Sequence, residues 1–286
     1  MNFFIFSDGF SIVVSMSLSH FEKRFNRALS LSFSRKKWLL VFPILALCGL
    51  LIVIFRTISL AAGDWIQLSL VFLPIFITAG ILSALGLVLI EMYRHDVAGE
   101  KVEFSKVIKK LLPLFWGAAY LIIPLIFAYL ILWMALGIFY LLRAIPMAGP
   151  LIGAIFSFGP FLLVLGSIAL GIFTLLGLFY LPPAAAMKGE MSKDLFKSVV
   201  KKIRTNPFQM CVPFLFALFP LLLVIGVLSL AAVVTHMMYI TTAGGLSIVL
   251  KWFFMMLPFC ALLAPVVTFF FHFSLETYLM TRESAK

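Results

Sequence analysis

Residues Trp252 to Leu275 read WFFMMLPFCALLAPVVTFFFHFSL, with no Asp, Glu, Lys or Arg among them. Crossing roughly 30 Å of hydrocarbon takes about 20 helical residues, so this stretch alone is long enough to span a bilayer. Working outward, charge-free runs of similar length recur at Trp38 to Phe55, Trp65 to Ile90 and Leu111 to Leu142, inside Ala144 to Met187 and inside Thr205 to Leu250. Lipid offers the backbone no hydrogen-bond partner, so each run should be helical; the period-two alternation of an outer-membrane barrel is missing. Composition agrees: 64% of the 286 residues are hydrophobic and 12% charged, against about a quarter charged in a soluble domain. The fold class is therefore an all-α polytopic membrane protein with six spans.

Orientation follows from the placement of Lys and Arg, which stay on the cytoplasmic side of span ends. Six precede the first span (Lys23, Arg24, Arg27, Arg35, Lys36, Lys37) and five lie in 91–110 (Arg94, Lys101, Lys106, Lys109, Lys110). Six more lie in 182–210 (Lys188, Lys193, Lys197, Lys201, Lys202, Arg204), and Arg282 and Lys286 lie in the C-terminal tail. Only Arg56, Arg143 and Lys251 fall on the other side, one for each short outer loop. This asymmetry predicts an inner-membrane protein with both termini cytoplasmic. The net charge of +11 is then topological and not the footprint of nucleic-acid binding, which would need a basic face on a soluble domain.

Cys48, Cys211 and Cys260 lie in or beside apolar runs, where a thiol behaves as a small hydrophobe; no disulfide framework or zinc spacing is formed. Residues 1–15 are short, apolar and without the positive n-region of a signal peptide, and with Met16 as a second possible start they read as a non-native extension. Residues 16–286 read as a single transmembrane domain.

A threefold pattern runs through that domain. Each basic segment places apolar residues three or four apart before a Lys pair: Phe21, Phe25, Leu29 and Phe33 before Lys36 and Lys37; Phe104, Val107 and Ile108 before Lys109 and Lys110; Leu195, Phe196, Val199 and Val200 before Lys201 and Lys202. That spacing predicts amphipathic helices. The second and third copies start alike, as GEKVEFSKVIKK and GEMSKDLFKSVVKK. Ala62-Gly63, Ala148-Gly149 and Ala243-Gly244 introduce the even-numbered spans, followed by Pro74, Pro160 and Pro258 and then by Gly80, Gly166 and Ala264. Self-similarity at this period predicts pseudo-repeats 16–90, 91–181 and 182–286, three tandem hairpins each preceded by a basic interfacial helix.

Helices in lipid associate through close packing, so Gly80 with Ala84, Gly166, Ser167 with Gly171, and Ala264 are candidate packing positions. Every span carries Pro (Pro43, Pro74, Pro124, Pro160, Pro213 and Pro220, Pro258 and Pro265), each removing a backbone donor. The long third and fourth runs meet at Ala144 to Pro160, which reads as part of tilted spans or as an interfacial or re-entrant piece before a span of Phe161 to Leu181.

Ionisable groups inside a bundle mark proton-coupled carriers and intramembrane enzymes. The acids all fall outside the charge-free runs; Glu91 and Glu276 lie nearest the membrane, at span ends, where they are expected to face water. HExxH, GxSxG and the phosphate loop are missing. His236 and His272, near the ends of the fifth and sixth spans, have no ligand-spaced partner and read as structural; His20 and His95 read as solvent-side. No catalytic residue, cofactor or metal is predicted. A sparse inventory of span hydroxyls fits an apolar or amphipathic client better than a polar solute. The Lys pairs Lys36, Lys37, Lys109, Lys110, Lys201 and Lys202 are the candidate contacts to anionic lipid headgroups.

Six spans with Phe- and Lys-rich segments such as FSKVIKKLLPLF and FKSVVKKIRTNPF resemble the uncharacterised six-helix inner-membrane proteins of bacteria, some similar to the membrane region associated with glycerophosphodiester phosphodiesterases. The likeness covers Ser19 to Leu279 and implies a bacterial inner-membrane setting but no activity. Mitochondrial carriers also have three hairpins, yet Pro43, Pro124 and Pro213 are followed by apolar residues and not by that family's charged gate. The expectation is a non-enzymatic protein that organises or moves lipid or other membrane-soluble material; a transporter or channel for a small solute is the alternative. An interfacial lipid-modifying enzyme would require Glu91, His95, Asp96 and Glu276 to cluster. Protein partners and oligomeric state are left open by the sequence.

Overall fold

The structure is a computed structural model that describes residues 18–60, 64–99, 104–146, 148–155, 157–189, 193–235 and 245–283. These form nine α-helices: α1 Leu18–Ser30, α2 Arg35–Leu60, α3 Asp64–Ala98, α4 Phe104–Arg143, α5 Ala148–Ile155, α6 Gly159–Lys188, α7 Lys193–Thr205, α8 Pro207–Val234 and α9 Gly245–Glu283. A 3₁₀ turn, Leu31–Phe33, links α1 to α2. Six helices (α2, α3, α4, α6, α8, α9) are long and apolar enough to cross a membrane, and the described residues contain no strand. The N-terminal fifteen residues, Ala62-Gly63, His236 and Ala243-Gly244 lie outside the described residues.

Helix ends follow local chemistry. Gly99 and Gly189 take positive φ (71° and 73°), and their amides close α3 and α6 on Asp96 O and Ala185 O. A left-handed cap of this kind strains any residue with a Cβ, so the Gly of the repeated Gly-Glu pair is a helix stop. Ser34 is extended (φ −74°, ψ 128°), separating the 3₁₀ turn from α2. Asn206 (φ −130°, ψ 68°) separates α7 from α8, because the Pro207 ring keeps the residue before it out of the helical region.

The middle copy departs from the expected pattern. Phe104 to Arg143 is one unbroken helix of 40 residues, so the second basic segment forms no separate interfacial helix: Leu111 and Leu112 follow Lys110 directly and carry the helix on. Pro160 sits in the first turn of the span helix α6, where its missing donor has no cost. The segment between α4 and α6 holds the short helix α5, packed on α4.

The even-numbered spans α3, α6 and α9 pack on one another, and α2, α4 and α8 pack on the outside, α2 against α3 and α9, α4 against α3 and α6, α8 against α9. Burial is concentrated where these inner helices run into the basic segments: Leu85 to Tyr93 on α3, Leu178 to Ala185 on α6 and Thr268 to Thr277 on α9 are almost continuously buried. The other end is open, with Leu141, Leu151 and Val234 about two-thirds exposed. Such outward apolar surface has lipid as its natural solvent.

Close approach within this core includes positions beyond the small residues singled out above. A Cβ on Gly86 of α3 would lie 2.3 Å from the Phe271 ring of α9, and one on Gly49 of α2 would lie 2.0 Å from the Met256 sulfur. Ala264 is fully buried and Ser167 nearly so, Gly80 and Ala84 are half-buried, and Gly166 has ordinary contact with Leu132; a Cβ on Gly171 meets nothing within 4 Å. Gly86→Ala is expected to cost roughly 1–3 kcal/mol through overpacking, while Gly171→Ala leaves the thermal midpoint of the detergent-solubilised protein unchanged or raised; equal midpoints for the two variants would contradict this packing.

Candidate functional site

Helix α1 carries Phe21, Arg24, Phe25 and Ala28 on one face, at the three- and four-residue spacing that puts side chains in one row. Its rings lock onto α9: Phe25 meets Phe269 and Phe273 at centroid distances of 5.0 and 5.5 Å, and Phe21 meets Phe273 at 5.6 Å. This seating brings Arg24 and Arg27 over the buried end of α9, where His272 and Glu276 lie one turn apart.

Glu276 is 1% exposed. Its Oε1 accepts hydrogen bonds from the Arg27 guanidinium and from the Tyr93 hydroxyl, the latter at 2.6 Å. Its Oε2 lies 3.5 Å from Arg24 Nη1 and accepts no hydrogen bond among the described residues. Burial disfavours charge on Arg27, but the hydrogen bond and charge of Glu276 outweigh it and raise the guanidinium pKa above its ordinary value.

The second half of the network centres on Lys37, also 1% exposed. Its ammonium pairs with Asp96 Oδ2 at 2.6 Å and donates to Leu31 O at 3.0 Å. It lies 3.3 Å from His272 Nε2. Because an ammonium only donates, Nε2 must accept, and the imidazole is neutral with its proton on Nδ1. That proton faces Ser32 Oγ at 3.2 Å, and Ser32 in turn donates to Ala28 O at 2.6 Å. The His272 ring stacks on Tyr93 at 4.4 Å, joining the halves. Beside them Glu91 accepts from Arg94 at 2.9 Å and lies 3.9 Å from His95.

The acids at the span ends therefore do not face water: Glu91 and Glu276 are 4% and 1% exposed. Helix packing explains the difference, since α3 stays buried to Tyr93 and α9 to Thr277, past the point where the apolar runs stop. Lys37 is likewise no headgroup contact, because Asp96 and the His272 ring take it inside. Lys36 and Lys201 are exposed and Lys202 half-buried, with burial pushing the Lys202 ammonium pKa below its ordinary value. The side chains of Lys109 and Lys110 lie outside the described residues. His272 is fully buried, and His95 is one-third exposed. Tyr93, Arg24, Arg27 and Ser32 were not among the candidate residues; the available signal was His272 and Glu276 four apart in an otherwise apolar row, matched by Tyr93 and Asp96 three apart on α3.

Asp96 and Glu276 belong to one network, but through Lys37, His272 and Tyr93 and not by direct contact. Among the described residues no group of three His, Cys, Asp or Glu is arranged to hold a metal ion. A cavity of about 20 Å³ between α3, α4 and α6, lined by Phe72, Tyr129, Leu136 and Ser167 among others, has room for one water. Comparison with protein-family models, with curated proteins and with solved structures gave no match.

Removing one partner of a buried ion pair costs about 3–5 kcal/mol, because the other charge is left uncompensated. Asp96→Asn strands the buried Lys37 ammonium, whereas Lys37→Met removes that charge and leaves Asp96 one-third exposed to water. Thermal unfolding in detergent should therefore rank Asp96→Asn as more damaging than Lys37→Met; the reverse order would show that the pair is not desolvated as described.

Proposed function

We propose that this chain is a non-enzymatic inner-membrane protein, built as three tandem hairpins with both termini cytoplasmic, that organises anionic lipid around its basic end. The observation that carries the reading is the contrast between its two short basic helices. On α1 and at the start of α2, Arg24, Arg27 and Lys37 are committed to Glu276 and Asp96. On α7, Leu195 and Val199 are buried and fix the helix against α6 and α8, while Lys201 and Arg204 point outward and Lys202 is half-buried. Among the described residues none of these three has an acid within ion-pair distance.

Two membrane-length helices with exposed apolar sides flank α7, which supports a location at the level of the headgroups. Cations there gain about 1 kcal/mol each from an anionic surface, and a phosphate beside Lys202 would offset the burial that disfavours its charge. Exposed Lys36 extends the collar on the α2 side. The inner arrangement of α3, α6 and α9, with α3 and α6 stopped by a left-handed Gly, supports the triplication. The resemblance to bacterial six-helix inner-membrane proteins remains part of this proposal.

Electron spin resonance of spin-labelled lipids around the reconstituted protein tests the reading. Wild type should select phosphatidylglycerol over phosphatidylcholine, and the Lys201→Gln/Lys202→Gln/Arg204→Gln variant should lose most of that selectivity, about 1 kcal/mol per cation. Equal selectivity in wild type and variant would remove the proposal. A periplasm-dependent reporter active on the C-terminus would overturn the orientation.

A further inference from the structure

We infer that Glu276 and His272 form a latch that docks α1 and its 3₁₀ turn onto α9, and that protonation of His272, beside the Lys37 ammonium, releases it. These two groups, with Lys37 donating to Leu31 O, hold α1 and its turn to the bundle by polar contacts. Glu276 holds both arginines of α1, and His272 Nδ1 faces the 3₁₀ turn at Ser32 and the end of α1 at Ala28 O, 3.5 Å away.

Charge determines the direction. The groups facing the pair are Arg24 and Arg27 from α1, Lys37 from α2, and Tyr93 and, through Lys37, Asp96 from α3. From α6 and α8 come aromatic rings, Phe179 on Phe270 and Phe216 on Phe21. With Glu276 ionised and His272 neutral, the carboxylate balances the arginines and the imidazole accepts from Lys37. Protonating His272 sets a second cation 3.3 Å from the Lys37 ammonium. That change weakens the docking, so the contact is held while His272 is neutral and is lost as pH falls.

Release has a short path. Arg27 is 44% exposed at its side chain, so water reaches the ion pair from the α1 side. Ser34 is already extended and can act as the hinge. Helix α7 is the internal reference: it docks through Leu195 and Val199, with no buried ion pair among the described residues.

Hydrogen exchange of the full-length protein in nanodiscs tests the latch, with labelling times scaled for the intrinsic pH dependence of exchange. In wild type, α1 amides should exchange about tenfold faster at about pH 5 than at about pH 7.5, while α7 amides keep their protection. Glu276→Gln should show the fast α1 exchange already at neutral pH. Should that variant fail to fold, Arg24→Gln/Arg27→Gln removes the same contacts from the water-facing side and should give the same result. Unchanged α1 protection on acidification, parallel loss of α1 and α7, or wild-type α1 protection in the arginine double variant would each overturn the proposal.

Discussion

A carboxylate on an apolar helix stays ionised inside a bundle only if counter-charges and donors are brought to it, and Glu276 imposes that requirement on everything around the basic end. Two arginines and a tyrosine hydroxyl meet it. To deliver the arginines the chain before the first span must fold back over α9 as a helix, with Arg24 and Arg27 in one row and Phe21 and Phe25 beside them. The extended backbone at Ser34 then turns the chain into α2, and this turn sets Lys37 between Asp96 and His272. Aromatic pairs contribute about 0.5–1.5 kcal/mol each, so the rings and the ion pairs hold the same helix by different means.

The convergence of α3, α6 and α9 at this end follows from the same demand. Electrostatic compensation is strongest where water and lipid are kept back, and Leu85 to Tyr93, Leu178 to Ala185 and Thr268 to Thr277 do so on the bundle side of Glu276. Among the described residues the opposite end buries no acid, and its Leu and Val side chains turn outward. Close contact at Gly86 against Phe271 belongs to the shielded end too: a larger residue there would push α3 from α9 and admit solvent near the Tyr93 and His272 rings.

Six helical spans could be read from runs such as Trp252 to Leu275 because in lipid a backbone without internal hydrogen bonds is too costly, leaving little else for an apolar run to be. The Gly-Glu pairs at Gly99 and Gly189 were visible as the starts of two repeat copies, although their role as left-handed helix stops was not. The buried network was not legible, for a physical reason: a charge ends an apolar run whether it faces water or a partner from another helix. Glu276 meets Arg24 and Arg27 about 250 residues away in sequence, and only packing decides between the two environments. Lys36 and Lys37 make the point in adjacent positions, one outward and one inward, since successive helical residues are set about 100° apart. The continuous α4 was missed because a Lys pair followed by two leucines looks, as a pattern, much like one followed by a break.

The two short basic helices show how one sequence pattern can serve two ends. On α1 the cations are consumed by a buried acid, so their free energy goes into holding the helix in place, and any anion that competes for Arg24 and Arg27 acts on that docking. On α7 the apolar row alone fixes the helix, and its cations remain available to whatever negative charge lies outside. A surface cation in water interacts weakly, but one beside a membrane of opposite charge acts together with its neighbours, and Lys201, Lys202 and Arg204 sit within one turn of each other. The division between internal anchoring on α1 and outward charge on α7 therefore follows from a single difference, namely that α9 offers a buried acid to α1 while the helices beside α7 offer it aliphatic and aromatic contacts.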